Sequence, residues 1–162
     1  MTQTQIFDSS NNASYFLEYS IKDWNQLAEI KTFLKGFVHS KFNTDIVYSF
    51  GPKLSKKLFP NNCPEDLIDF PTYKGPKFSM PSTQSDIFIW FQSTREDLIF
   101  NDVLSIGRSL EPFLNLDTDE RGFKYLDSRD LIGFVDGSAN PKGKKLGRQH
   151  LLQMVKRELR GR

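Results

Sequence analysis

Between Tyr15 and Ile21 the chain alternates imperfectly, with Tyr15, Leu17, Tyr19 and Ile21 on one side and Phe16, Glu18 and Ser20 on the other. Period-two patterning of this kind predicts a strand. Asp23 followed three residues later by Gln26 has the form of a helix start, and Trp24, Leu27, Ile30, Leu34, Phe37 and Val38 then share one helical stripe. The spacing predicts a helix that ends near His39. Asp45 to Phe50 is a second strand, rich in Ile46, Val47, Tyr48 and Phe50 and stopped by the Gly51-Pro52 break. Pro60, Pro64, Pro71, Pro76 and Pro81 crowd the stretch from Lys53 to Thr83, which predicts a long connection with little regular structure. Asp86 to Gln92 contains the unbroken apolar run from Ile87 to Phe91 and reads as a central strand. Thr94 and Asp97 offer a capping box for a second helix, in which Ile99, Val103, Ile106, Leu110 and Leu114 recur at helical spacing until Pro112 limits it. A fourth strand is expected over Gly122 to Leu126, with Phe123 and Tyr125 on one face.

The predicted order is β-α-β-β-α-β. It implies an α+β fold of ferredoxin-like type, with two helices on one face of a four-stranded antiparallel sheet. The expected organisation is a disordered N-terminus over 1–13, the domain over 14–141, and a basic tail over 142–162. Leu151, Leu152, Val155 and Leu159 would line one stripe of a helix in that tail. Such a fold hosts many activities, so function has to come from a site.

Composition narrows the class. A chain of 162 residues with 38% hydrophobic and 26% charged positions is sized for one globular core. Its 15 Phe imply either aromatic core packing or an aromatic-lined pocket. Cys63 is the only cysteine, which excludes an internal disulfide and points to a cytoplasmic setting. The polar stretch from Met1 to Asn12 resembles neither a secretory leader nor a membrane anchor. The net charge of +2 conceals a division: residues 1–141 carry 14 Lys+Arg against 19 Asp+Glu, whereas residues 142–162 carry 8 against 1. A basic end can attract nucleic acid or an anionic surface, although solvated basic ends are common.

The most informative segment is Gly133-Phe134-Val135-Asp136-Gly137-Ser138-Ala139-Asn140-Pro141. Two glycines flank a carboxylate and allow the backbone to approach a bulky ligand closely. The same residues also suit an ordinary Asp-Gly turn ending at Asn-Pro.

This segment resembles the GxxDG signature of dye-decolourising peroxidases. Tyr48-Ser49-Phe50-Gly51-Pro52 resembles that family's strand-ending FG segment, and Pro81 to Asp86 resembles the stretch before its third strand. Gly122-Phe123-Lys124-Tyr125 with Asp127 to Asp130 resembles the approach to the signature. The match covers roughly residues 14–141 and therefore the first of the two ferredoxin-like domains that such enzymes carry in tandem. The resemblance implies haem b as cofactor, with Asp136 as the distal acid–base residue and Phe134, Gly137 and Ser138 beside the haem. Hydrogen peroxide and an organic electron donor, a dye or phenol, would be the substrates, and a homo-oligomer is a further expectation. The family's axial His and distal Arg come from the second domain. Of the two histidines here, His39 is expected in a surface or capping role. His150 lies beyond the resemblance, and a truncated or frame-altered product would account for the missing half.

Other chemistries lack their patterns. Gly143 to Gly147 does not have P-loop spacing. One cysteine and two distant histidines form no zinc cluster. No G-x-S-x-G elbow is present. Trp24 and Trp90 sit at positions that suit core packing better than electron relay. The alternative function is a non-catalytic ferredoxin-like binding or assembly module. RNA binding would be its specific form, yet Gly122-Phe123-Lys124-Tyr125 only partly matches the expected aromatic strand motif.

Overall fold

The structure is a computed structural model that describes residues 3–7, 10–38 and 40–135. It divides into two compact units, residues 1–123 and 124–162. The first unit holds the sheet. Its elements are β1 (Ala13–Ile21), α1 (Leu27–Val38), β2 (Asp45–Phe50), α2 (Pro52–Leu58), β3 (Tyr73–Lys74), β4 (Ser79–Met80), β5 (Ile87–Ser93), α3 (Glu96–Leu110) and β6 (Leu114–Phe123).

The main sheet has the order β2-β5-β1-β6, and β3 and β4 form a separate two-stranded hairpin. All three pairings of the main sheet are antiparallel, with Leu17 opposite Ile89, Val47 opposite Trp90 and Tyr15 opposite Arg121. This is the ferredoxin-like α+β arrangement, and β5 is central as its apolar run predicts.

Alternation divides the two sheet faces. Leu17, Tyr19, Ile87, Ile89 and Phe91 are buried in one cluster with Ile30, Leu34 and Phe37 of α1 and Ile99, Val103, Ile106 and Leu110 of α3. Fully burying one such side chain stabilises the fold by about 1.5–3 kcal/mol. On the other face Phe16 stacks against Phe88 and Trp90 at centroid distances of 6.1 and 5.9 Å. Trp90 is thus half-buried and donates its indole N–H to Ser14 Oγ at 3.1 Å. Gly122 leaves room for this packing, because a Cβ there would lie 3.0 Å from the Phe16 ring. Trp24 packs against the core cluster, with Lys53 Nζ 3.7 Å from its ring centroid.

Several boundaries differ from the sequence reading. Residues 4–7 form a 3-10 turn where disorder was expected, and Gln3 exchanges two 2.8 Å hydrogen bonds with the backbone of Tyr48. Polar side chains reaching a neighbouring strand hold this segment, and no apolar pattern announces them. Asp23 does cap its helix, accepting from Asn25 N, but the first turn is 3-10 and Val38 stays 44% exposed. Thr94 caps nothing: the N-cap is Arg95, and Asp97 forms an ion pair with that arginine.

The fourth strand is the largest correction. It runs from Leu114 to Phe123, so Leu114 belongs to the strand and only Gly122 and Phe123 overlap the expected Gly122–Leu126. Along β6 only Leu114 is fully buried. An edge strand with Asp117, Asp119 and Glu120 facing solvent lacks the apolar alternation that would reveal it.

Candidate functional site

The segments singled out by sequence meet at two places. In the first unit the Gly51 amide donates to the Asp86 carbonyl at 2.7 Å, and the Asp86 amide donates to Tyr19 O at 2.9 Å. The Asp86 carboxylate accepts from Ile21 N at 2.9 Å. Three segments distant in sequence are thereby tied at one end of the central strands. Gly51 is required by proximity, since a Cβ would lie 2.7 Å from Ser85 O.

The second place is the segment 124–135, which leads to the Gly133-Phe134-Val135-Asp136 motif. It opens with a tight turn in which Ser128 N and Arg129 N both donate to Tyr125 O, at 3.1 and 3.0 Å. Leu126 and Ser128 adopt φ of 48° and 72° there, in the left-handed region that L residues avoid. The Arg129 guanidinium grips both oxygens of Asp127, through Nε at 2.6 Å and Nη2 at 3.0 Å. Its Nη1 donates to Gly133 O at 3.0 Å. Arg129 also forms backbone bridges with Tyr125 and Val135.

Asp130 makes the second turn. Its Oδ1 accepts from Ile132 N and Phe134 N, each at 3.1 Å, while its own amide donates to Phe134 O at 3.0 Å. Gly133 has φ of 95°. A Cβ there would have open space around it, so backbone conformation alone calls for glycine. Leu126, Leu131, Ile132 and Phe134 are 71–80% exposed, so this segment is held by polar contacts at the surface rather than by buried apolar side chains.

Of the expected site residues, Phe134 is therefore exposed, with both backbone polar groups bonded to Asp130. Asp136, Gly137 and Ser138 lie outside the described residues, as do His39, His150 and the tail 142–162. The Asp127-x-Arg129-Asp130 spacing was visible in sequence as part of the approach to the motif. Its internal hydrogen bonding was not, because one guanidinium reaching a carboxylate and a carbonyl at once leaves no periodic trace.

Elsewhere the first unit has a surface cleft of about 530 Å³ lined by Tyr15, Glu96, Phe100, Arg121 and Phe123. Arg121 is paired with Glu96 at 2.6 Å, and the Tyr15 hydroxyl is raised above its usual pKa chiefly by its hydrogen bond to Asp119. Charges already paired within the wall leave little to recognise a polar ligand. Among the described residues no cluster of three or more His, Cys, Asp or Glu suits a metal ion, and no helix is long and apolar enough to cross a membrane.

Gly133 and Phe134 lie open to solvent beside the exposed side chains of Leu131 and Ile132, and the described residues contain no imidazole to ligate a haem iron.

Comparison with known proteins shows the family. The family model for the N-terminal part of Dyp-type peroxidases matches residues 39–124. A dye-decolorizing peroxidase of Mycobacterium tuberculosis is 31% identical over 108 residues, covering 67% of this chain and 32% of that protein. Its counterpart in Brevibacterium linens is 29% identical over 139 residues, covering 80% and 38%. A DypB variant from Rhodococcus jostii RHA1, solved in complex with haem, aligns with a TM-score of 0.70 at 28% identity, covering 85% of this chain and 48% of that one. The chain thus spans about a third of the curated relatives' length and about half of the solved one. On these matches, the chain belongs to the Dyp-type peroxidase family and corresponds to its N-terminal domain.

Proposed function

We propose that this chain supplies the peroxide-facing half of a haem-dependent peroxidase that reduces hydrogen peroxide and oxidises a dye or phenolic donor. The observation that carries the reading is the anchored segment 124–135, which follows directly on the family match and runs into Asp136. Haem b, when bound, would supply the redox-active iron. Phe134, Gly137 and Ser138 would lie against it. Asp136 would accept a proton from one peroxide oxygen and return it to the departing oxygen, the work of a carboxylate whose position and pKa suit both steps. By family resemblance the axial His and a distal Arg belong to the complementary half, so neither His39 nor His150 is assigned to iron and the 162 residues alone are not expected to turn over peroxide. A cytoplasmic setting and a homo-oligomeric state complete the proposal. The alternative RNA-binding module has weaker support, because the open sheet face carries Glu18 and the adjoining edge strand Asp117, Asp119 and Glu120, which would repel phosphates.

Haem titration tests this reading. This chain joined to the complementary half of the Rhodococcus jostii protein should develop a Soret band. Absence of the band, when the parent protein prepared alongside shows one, would overturn the proposal.

A further inference from the structure

We infer that Arg129 is a positioning residue for Asp136, holding by one side chain the backbone path that delivers this carboxylate. The inference rests on the reading of Asp136 as the acid–base group. Arg129 touches both ends of the excursion. It bonds Asp127 near the start and Gly133 O near the end, and its backbone bridges Tyr125 and Val135.

Apolar packing does not define this path, since Leu126, Leu131, Ile132 and Phe134 face outward. The path is also intrinsically unfavourable. Leu126 and Ser128 occupy the left-handed region, and such conformations persist only where the surroundings over-determine them. The guanidinium does this with three N–H groups in a fixed plane, two on the carboxylate and one on the carbonyl. Lysine carries the same charge on one nitrogen and lacks that planar fork. Asp130 stiffens the inner turn, but its carboxylate reaches only Ile132 and Phe134 and its carbonyl accepts from Gly133 N, so it does not reach back to Asp127. Asp136 follows Val135 by one peptide bond, so a shift of Val135 passes to it. Misplacement of a reacting group by about 1 Å is worth roughly 100-fold in rate.

The test uses the full chain without haem and compares wild type, Arg129→Ala and Arg129→Lys by amide hydrogen exchange and by the ¹³C resonance of the Asp136 carboxyl. Both variants should speed exchange at Phe134 and Gly133 by about tenfold or more while β1 and β5 stay protected. In both, the Asp136 resonance should move, and millimolar guanidinium should return it towards wild type in the alanine variant. Arg129→Lys behaving as wild type would show that charge alone suffices and would overturn the inference. So would an unmoved Asp136 resonance in Arg129→Ala. These readouts need no turnover, so they fail or succeed independently of the acid–base role. If Asp136→Ala retained peroxidase activity in the haem-loaded form, that role would fall while the positioning by Arg129 stood.

Discussion

Asp102, buried on the inward face of α3, accepts two hydrogen bonds from Asn43, from its backbone amide at 2.8 Å and from its side-chain amide at 2.9 Å. Thr44 Oγ adds a third at 2.9 Å. This carboxylate fixes the entry into β2 and leaves no buried polar atom unmet. Asp102→Ala would leave three donors without their acceptor and should cost about 3 kcal/mol, given the worth of hydrogen bonds to charged groups. Asp102→Asn should cost less. Urea unfolding of the two variants checks the order.

Two glycines should respond with opposite signs. Gly51→Ala places a Cβ 2.7 Å from Ser85 O, where backbone has to shift, and should destabilise by about 2 kcal/mol. Gly36 lies exposed in α1 with nothing within 4 Å of a built Cβ. Gly36→Ala should therefore stabilise by about 1 kcal/mol through helix propensity. Thermal melts of both variants report the sign directly.

The strained turn gives a local prediction. Ser128→Gly should relieve about 1 kcal/mol of left-handed strain, and Gly133→Ala should introduce strain of similar size. Limited proteolysis within 125–135 should slow in the first variant and quicken in the second.

Alkaline stability follows from two tyrosines. Burial first, and then the charge of Asp119 and the Tyr15 hydroxyl, pushes Tyr19 up to about 12, while burial and then Asp102 push Tyr48 up to about 12. In the unfolded chain both ionise near 10. Their contribution is therefore whole below pH 10 and is lost as pH rises from there through 12. Unfolding midpoints should hold steady from neutral pH to about 10 and fall above it, and Tyr19→Phe with Tyr48→Phe should flatten the fall.

Much of the fold was legible because its elements bury one face. The stripe of Ile99, Val103, Ile106 and Leu110 and the run Ile87 to Phe91 specify α3 and β5 directly. Strand β6 escapes the sequence reading because only Leu114 is buried and its middle, Asp117 to Arg121, is polar. The site divides similarly. Gly133 announced its positive φ by being glycine beside a carboxylate. By contrast, Leu126 and Ser128 reach the same backbone region in a turn closed by the Tyr125 carbonyl and by the contacts of Arg129, which no local preference predicts.

The central claim is that Asp136 performs the acid–base work of a peroxidase site, and steady-state peroxide turnover in the haem-loaded chimera tests it most directly. Asp136→Ala should keep the Soret band and lower kcat by about 100-fold or more, the usual worth of a positioned proton-transfer group. Turnover within a few-fold of the parent chimera, with haem equally bound, would contradict it.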